Sequence, residues 1–138
     1  MSERIIQAAE FEERLAAICL GGSGSAFPRR MRDRHILYRT IVQSLDPSQK
    51  YSEGQVNEVL QHWLLEVGTC LDIDYVTLRR YLIDEMYLFR EANGATYMVN
   101  RAGREVVEFE ESVAAIDPAT VIQLARDRVA ERKRLRSL

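Results

Sequence analysis

The chain has 138 residues, of which 46% are hydrophobic and 29% charged, which is the composition of an ordinary globular protein. It excludes a disordered or collagen-like chain, and no apolar run approaches the ~20 residues that span a bilayer. We expect a cytoplasmic protein without a secretory signal, in which Cys19 and Cys70 are buried, reduced thiols.

Charge is segregated along the chain, although the formal net charge is only −2. Four arginines crowd into residues 29–34, six basic residues lie within 126–136, and an acidic stretch spans 105–117. The net charge argues against a nucleic-acid binder, which usually has a basic excess. The segregation is compatible with a local polyanion site and equally with a salt-bridged dimer.

The N-terminal segment, residues 1–20, is predicted to hold an amphipathic helix from Glu3 to Leu20. Its apolar residues recur at helical spacing, so the helix needs a partner surface. Residues 21–28 are rich in Gly and Ser and are predicted to be a flexible linker. A phosphate-binding loop is disfavoured there, because no Lys-Ser/Thr pair follows and no strand precedes it.

Two helices are predicted next, at residues 29–45 and 53–67. Pro28 suits the start of the first, since its missing N–H would be unpaired there, and Asp46-Pro47 ends it. Ser52 and Gln55 form a capping-box pattern for the second helix, whose apolar stripe includes Trp63. Gly68 is a natural residue to end that helix.

The stretch from Asp74 to Val99 is predicted to be a helix, 74–86, that runs into a β-hairpin. The hairpin strands are Tyr87–Arg90 and Thr96–Val99, and Asn93-Gly94 supplies the positive φ angles of a tight turn. A helix followed by a two-stranded wing is the closing half of a winged helix-turn-helix.

The C-terminal extension, residues 101–138, is legible only in its second part. Asp117-Pro118 predicts a helix that runs to about Leu135 and ends in basic residues. Its thin apolar stripe and that of the N-terminal helix most simply cover each other or a twin subunit. We therefore expect a homodimer through the terminal helices.

Three boxes of the sequence carry a family resemblance. They are Pro28-Arg-Arg-Met-Arg-Asp-Arg34, Tyr51-Ser-Glu-Gly-Gln-Val-Asn-Glu-Val-Leu60 and Asp74-Tyr-Val-Thr-Leu-Arg-Arg-Tyr-Leu-Ile-Asp84, with Tyr97 as a closing residue. In these the chain resembles a bacterial family of unknown function, number 2087, which often lies C-terminal to an arsenic-repressor-type winged-helix domain in transcription regulators.

Two departures from the family pattern bear on what the resemblance implies. The family usually places Gly where this chain has Met86, so the corner between helix and wing is expected to be built differently. An arsenic-repressor-type domain is not recognisable in front of the central part. If that domain makes the DNA contacts of longer relatives, this chain would not contact DNA.

The predicted fold is mainly α with a small β-hairpin wing: a winged helix-turn-helix-like core at 29–100, flanked by N- and C-terminal helices. At 100° per residue, Thr77 and Arg80 lie opposite the apolar face of helix 74–86, and Arg79 lies on a flank. Thr77 and Arg80 are candidate base readers, and Arg79, Arg90 and Arg101 are candidate phosphate contacts. The equally simple alternative is that the arginine pair binds neighbouring carboxylates and fixes helix packing.

The leading hypothesis is a DNA-binding protein of the transcription-regulator type, with double-stranded DNA as partner. The alternative is a non-enzymatic protein–protein interaction module on the same scaffold. We find no catalytic motif and expect no enzyme, no cofactor, no metal and no membrane partner. The predicted nucleic-acid contacts are Thr77, Arg79, Arg80, Arg90, Asn93, Arg29, Arg30, Arg32 and Arg34.

Overall fold

The computed structural model describes residues 5–21, 24–93, 95–100 and 107–138. Gly94, Arg101 and the beginning of the acidic stretch, about which predictions were made, lie outside the described residues. The elements are β1 (Ile5–Ile6), α1 (Ala8–Cys19), α2 (Met31–Val42), β2 (Tyr51–Ser52), α3 (Glu53–Glu66), α4 (Tyr75–Asp84), β3 (Leu88–Arg90), β4 (Thr96–Val99), β5 (Glu108–Phe109), a 3₁₀ helix (Glu111–Ala115) and α5 (Pro118–Arg136). The prediction of a mainly helical protein with a small β-hairpin is confirmed.

The hairpin of β3 and β4 belongs to an antiparallel sheet with the strand order β2-β4-β3. β4 begins and ends at the predicted residues, whereas β3 starts one residue later than predicted. The third strand, β2, pairs Tyr51 with Tyr97. It was not predicted, because a strand of two residues has no periodicity to detect.

A second, parallel pair of strands joins the two ends of the chain. Ile5 in β1 lies opposite Glu108 in β5, and the Glu110 amide donates to the Ile6 carbonyl over 2.9 Å. The predicted N-terminal helix therefore starts later than expected, at Ala8, because residues 5 and 6 are used as a strand.

α3 begins at the predicted capping box. The Gln55 amide donates to Ser52 Oγ over 3.1 Å, and the Ser52 amide donates to Gln55 Oε1 over 2.8 Å. Gly68 follows the helix as predicted, and a glycine is required there because a larger residue would collide with a neighbouring side chain. A Cβ added there would lie 2.6 Å from Cζ3 of the buried Trp63 ring.

The corner between α4 and β3 is a left-handed turn of the type that glycine usually makes. The Tyr87 amide donates to the Leu82 carbonyl over 2.8 Å, and the Met86 amide donates to the Ile83 carbonyl over 3.1 Å. These are the two hydrogen bonds of a Schellman motif. Met86 has φ 66°, so methionine adopts the conformation of the family's glycine, and the expected different construction is not found.

The terminal helices share one hydrophobic core with the central part of the chain. Phe11 and Leu15 of α1 and Ile122 of α5 are buried in the same cluster as Leu60 and Leu78. α1 and α5 also pack on each other, which is one of the two arrangements that their apolar stripes predicted.

The two cysteines lie in this core as free thiols, both buried as predicted. Burial raises the pKa of the Cys19 thiol to about 12, so it stays protonated and unreactive at neutral pH.

Three buried polar side chains of α2 connect it to other elements. Asp33 accepts from Arg14 Nε and Nη2 over 3.0 and 2.9 Å, which joins α2 to α1. His35 Nδ1 lies 2.7 Å from the Tyr87 hydroxyl, and Trp63 Nε1 donates to Thr40 Oγ1 over 2.9 Å. Each of these three side chains therefore has a hydrogen-bond partner, as is usual for buried polar groups.

Candidate nucleic-acid interface

The outward face of α4 is exposed to solvent along most of its length. Val76, Arg80 and Asp84 are exposed and Thr77 is half-buried, whereas Leu78 and Leu82 are fully buried. These positions agree with the helical periodicity, but Met86, which the same periodicity places on the apolar face, lies after the end of α4 and is 55% exposed. α4 packs mainly on α3 and β3, and the two terminal helices pack elsewhere. They therefore leave the predicted reading face uncovered.

Asp74 fixes the beginning of α4. Its Oδ1 accepts from the Thr77 amide over 2.7 Å, and this hydrogen bond lowers the pKa of Asp74 below its ordinary value. Asp74 is therefore ionised at neutral pH, and its charge is used at the helix N-terminus, where the helix dipole favours an anion. Arg80 also contributes, by Coulombic attraction, to the lowered pKa of Asp74.

Arg79 faces the protein and is largely covered. Its Nη1 donates to Asn57 Oδ1, its Nη2 lies 3.6 Å from Glu53 Oε1, and the side chain is only 17% exposed. Arg79 thus joins α4 to α3, as in the alternative interpretation of the arginine pair. Arg80 projects outward, so the two adjacent arginines have different roles.

The β3–β4 hairpin contributes one exposed cation, Arg90, near the contact between α4 and α3. The Arg90 guanidinium lies 5.9 Å from the centre of the Tyr97 ring, and the Tyr97 hydroxyl donates to Glu53 Oε1 over 3.0 Å. Burial raises the pKa of Tyr97, which therefore remains a hydrogen-bond donor. Asn93 is exposed, and its Oδ1 accepts from the Ala95 amide over 3.0 Å, as is typical of an Asx turn.

The four arginines of residues 29–34 divide into two exposed and two engaged side chains. Arg32 donates to Glu10 Oε1 and Oε2 over 2.6 and 2.9 Å, and this contact lowers the pKa of Glu10. Arg34 Nε donates to the Pro28 carbonyl over 2.6 Å. Arg29 and Arg30 are exposed. The predicted cluster is therefore reduced to two cations that are available to a partner.

A cleft of about 620 Å³ brings part of this cluster to the N-terminus of α4. Its lining includes Arg29, Arg34 and Thr77, together with the carboxylates of Asp72 and Asp74. The sequence did not predict this proximity, because residues 29 and 77 come together only through tertiary packing.

Two aromatic side chains of this cleft, Phe27 and Tyr81, contact Arg34. The Arg34 guanidinium lies 5.4 Å from the centre of the Phe27 ring and 5.1 Å from that of Tyr81. The Ser25 amide donates to the Cys70 carbonyl over 2.8 Å, and this hydrogen bond attaches the segment that precedes α2 to the rest of the domain. Residues 25–28 of the predicted linker are thus held against the domain.

Comparison with known families gives a match to the central part of the chain. A family model described as an uncharacterised protein conserved in bacteria, DUF2087, matches residues 25–99, which is more than half of the chain. The chain belongs to the DUF2087 family. The match begins and ends close to the predicted domain 29–100 and includes α2, α3, α4 and the hairpin, so the matched residues contain the candidate interface.

No curated protein and no solved structure matches this member of the DUF2087 family significantly. Within the described residues, no helix is both long and apolar enough to cross a bilayer. The same residues contain no group of three or more His, Cys, Asp or Glu side chains placed to hold a metal ion.

Proposed function

We propose that this chain is a DNA-binding protein of the transcription-regulator type, which contacts duplex DNA through the outward face of α4 and the β3–β4 hairpin. The observation that carries the proposal is the uncovered face of α4, where Arg80 projects outward beside Thr77. Arginine is the side chain that most often reads guanine in the major groove.

The order of the elements supports this proposal. A helix, a short strand, two helices and a hairpin follow one another, and the short strand pairs with the second strand of the hairpin. This is the order of a winged helix, in which the last helix enters the major groove and the wing lies against the backbone. We propose that fold for the residues of the family match.

The charges around α4 determine which contacts are proposed. Arg80 and Thr77 are the candidate base readers, and Arg29, Arg30 and Arg90 are the candidate phosphate contacts, because all three arginines are exposed. Arg79, Arg32 and Arg34 act within the protein and are not part of the proposal. The carboxylates of Asp72 and Asp84 reduce the positive field, so we expect modest non-specific affinity.

The first test is the salt dependence of binding to random-sequence duplex DNA, measured by fluorescence anisotropy. Three phosphate contacts predict that the affinity falls roughly fortyfold between about 50 and 200 mM salt. Undetectable binding at about 50 mM salt, where the non-specific affinity is higher than at physiological salt, would contradict the proposal.

Three substitutions separate the proposed roles. Arg80→Ala should change the sequence preference, whereas Arg30→Ala should weaken binding to all sequences alike. Lys133→Ala removes the same charge from α5 and serves as the control, with affinity unchanged. Equal losses from Arg80→Ala and Arg30→Ala on every sequence would remove Arg80 as a base reader.

A protein–protein interaction module is the second candidate function. The observation that favours it is the exposure of large apolar side chains on α4 and at the wing: Val76 in the first turn of α4, Met86 after its end and Phe89 in β3 are each at least half exposed. Such exposed apolar groups are typical of a protein-binding surface. Absence of DNA binding in the salt experiment would leave this function as the better account of the same face.

A further inference from the structure

The second half of α5 extends beyond the body of the protein. Ile122 and Ala125 are buried and Val129 is half-buried, but every residue from 130 to 138 is exposed. An isolated helix of this length and composition is marginal in water, so it gains stability when a partner covers it.

A second stripe runs along α5 beside the residues that dock on the core, and of its members Val121 is half-buried and also packs against that core. It consists of Val121, Leu124, Arg128, Glu131 and Leu135 within the helix and Leu138 two residues after its end, which follow one another at alternating spacings of three and four residues. Leu124 is 50% exposed, Leu135 55% and Leu138 93%. This spacing is that of a coiled-coil seam, and exposed leucines at seam positions indicate a missing partner helix.

The stripe is complementary to itself when two copies run antiparallel. A two-fold axis between positions 129 and 130 places Leu124 opposite Leu135 of the second copy and Val121 opposite Leu138. The same axis places Arg128 opposite Glu131 of the second copy, and this pair occurs twice by symmetry. Each apolar position thus meets an apolar position and each cation meets an anion, which is what an isologous dimer interface requires.

A groove of about 710 Å³ between α1 and α5 provides room beside this seam. Val121, Leu124 and Arg128 of α5 line it, and α1 contributes a wall that includes Glu12 and Glu13. α1 and α5 run in the same direction, because the Ala8 amide contacts Glu110 just before α5 and Leu20 lines one cavity with Arg126.

The antiparallel arrangement brings opposite charges together at this wall. It directs Arg132 and Arg136 of the second copy towards the α1 side of the groove, where Glu12 and Glu13 are exposed and the C-terminus of α1 favours cations. We infer that α5 is a dimerisation helix that pairs antiparallel with α5 of a second copy through this stripe. The inference does not depend on the proposed DNA binding.

Glu131 already has an ion-pair partner in the single chain, and dimer formation would add a second one. Arg134 donates to Glu131 over 2.5 and 3.1 Å in the single chain. Both side chains are more than half exposed, so this pair is weak and costs little to rearrange. Glu131 would then lie between Arg134 of its own chain and Arg128 of the second copy.

Charge reversal tests the interface without disturbing the core, because residues 128 and 131 are exposed. The wild-type chain should have the mass of a dimer in light scattering after size exclusion, and Arg128→Glu and Glu131→Arg should each have the mass of a monomer. Each single substitution creates two like-charge pairs at the centre of the interface. Lys133→Glu, which faces away from the seam, is the control and should remain dimeric.

Mixing tests the register. The Arg128→Glu and Glu131→Arg chains should form a heterodimer in equimolar mixture, and the double variant R128E/E131R should again be a homodimer. Circular dichroism should show that every variant is folded, with a loss of helix in the monomeric variants no larger than the exposed last turns of α5. A monomeric wild type, single variants that stay dimeric, or a mixture that does not associate would each overturn the inference.

Discussion

At the scale of single residues, Met86 has a left-handed backbone conformation that residues other than glycine rarely adopt. It holds φ 66°, which costs a non-glycine residue roughly 1–2 kcal/mol, and its side chain is 55% exposed. Met86→Gly should therefore raise the free energy of unfolding by about 0.5–1 kcal/mol, after the greater entropy of glycine in the unfolded chain is subtracted.

Chemical denaturation of the wild type and the variant measures this difference. Glu85→Gly is the matched control, because the neighbouring residue has φ −92° and gains nothing from glycine, so that variant should be less stable than the wild type. A Met86→Gly variant that is destabilised as much as Glu85→Gly would show that the Met86 side chain contributes more than its strained backbone costs.

Arg79 and Arg80 show what the sequence could predict at this scale. Helical periodicity placed Arg80 outward, where it is exposed, but it placed Arg79 on a flank, whereas the side chain is turned towards α3 and is only 17% exposed. Periodicity could not identify the partners of Arg79, because Glu53 and Asn57 lie more than twenty residues earlier and reach it only through the packing of α3 on α4.

At the scale of elements, α1 depends on a side chain from the other end of the chain. Gln7, at its N-terminus, makes no side-chain capping hydrogen bond, and the Ala8 amide donates instead to Glu110 Oε1 over 3.1 Å. Glu110 also accepts from the Ser112 hydroxyl over 2.8 Å. The Ser112 contact first, and the Ala8 contact second, lower the pKa of Glu110 below its ordinary value of 4.5.

This cap should therefore depend on pH. Because the pKa of Glu110 is lowered in the folded protein, its contribution is present above its ordinary value of 4.5 and is lost as the pH falls through the lower folded value. Amide exchange at Ala8 should become faster over that range, and Glu110→Gln should remove the pH dependence. Glu111→Gln, which alters an exposed neighbour, should preserve it, and the same effect from both variants would contradict the assignment.

The sequence predicted the elements whose signals are local, and it missed those that form only when distant segments pair. The capping box of Ser52 and Gln55 and the Asp117-Pro118 start predicted the beginnings of α3 and α5, because these signals lie within four residues of each other. β1, β2 and β5 each contain two residues and exist only because distant segments pair with them, so no local pattern could indicate them.

At the scale of the whole molecule, the family unit and its terminal helices form one structure with one core. The sequence predicted amphipathic terminal helices in need of a partner but could not choose between an intramolecular and an intermolecular partner. The fold uses one face of α5 for α1 and the core and leaves a second face open. Exposed cations lie near α4 and on α5, and exposed carboxylates lie on α1.

Titration of the isotope-labelled chain with duplex DNA, followed by amide chemical shifts, tests residue by residue the proposal that DNA contacts the outward face of α4. We predict that the largest shifts occur at Thr77, Arg80 and the hairpin around Arg90, and that those of the basic residues 126–136 remain small. Shifts confined to residues 126–136 would contradict the proposal, because DNA would then bind the basic part of α5 instead.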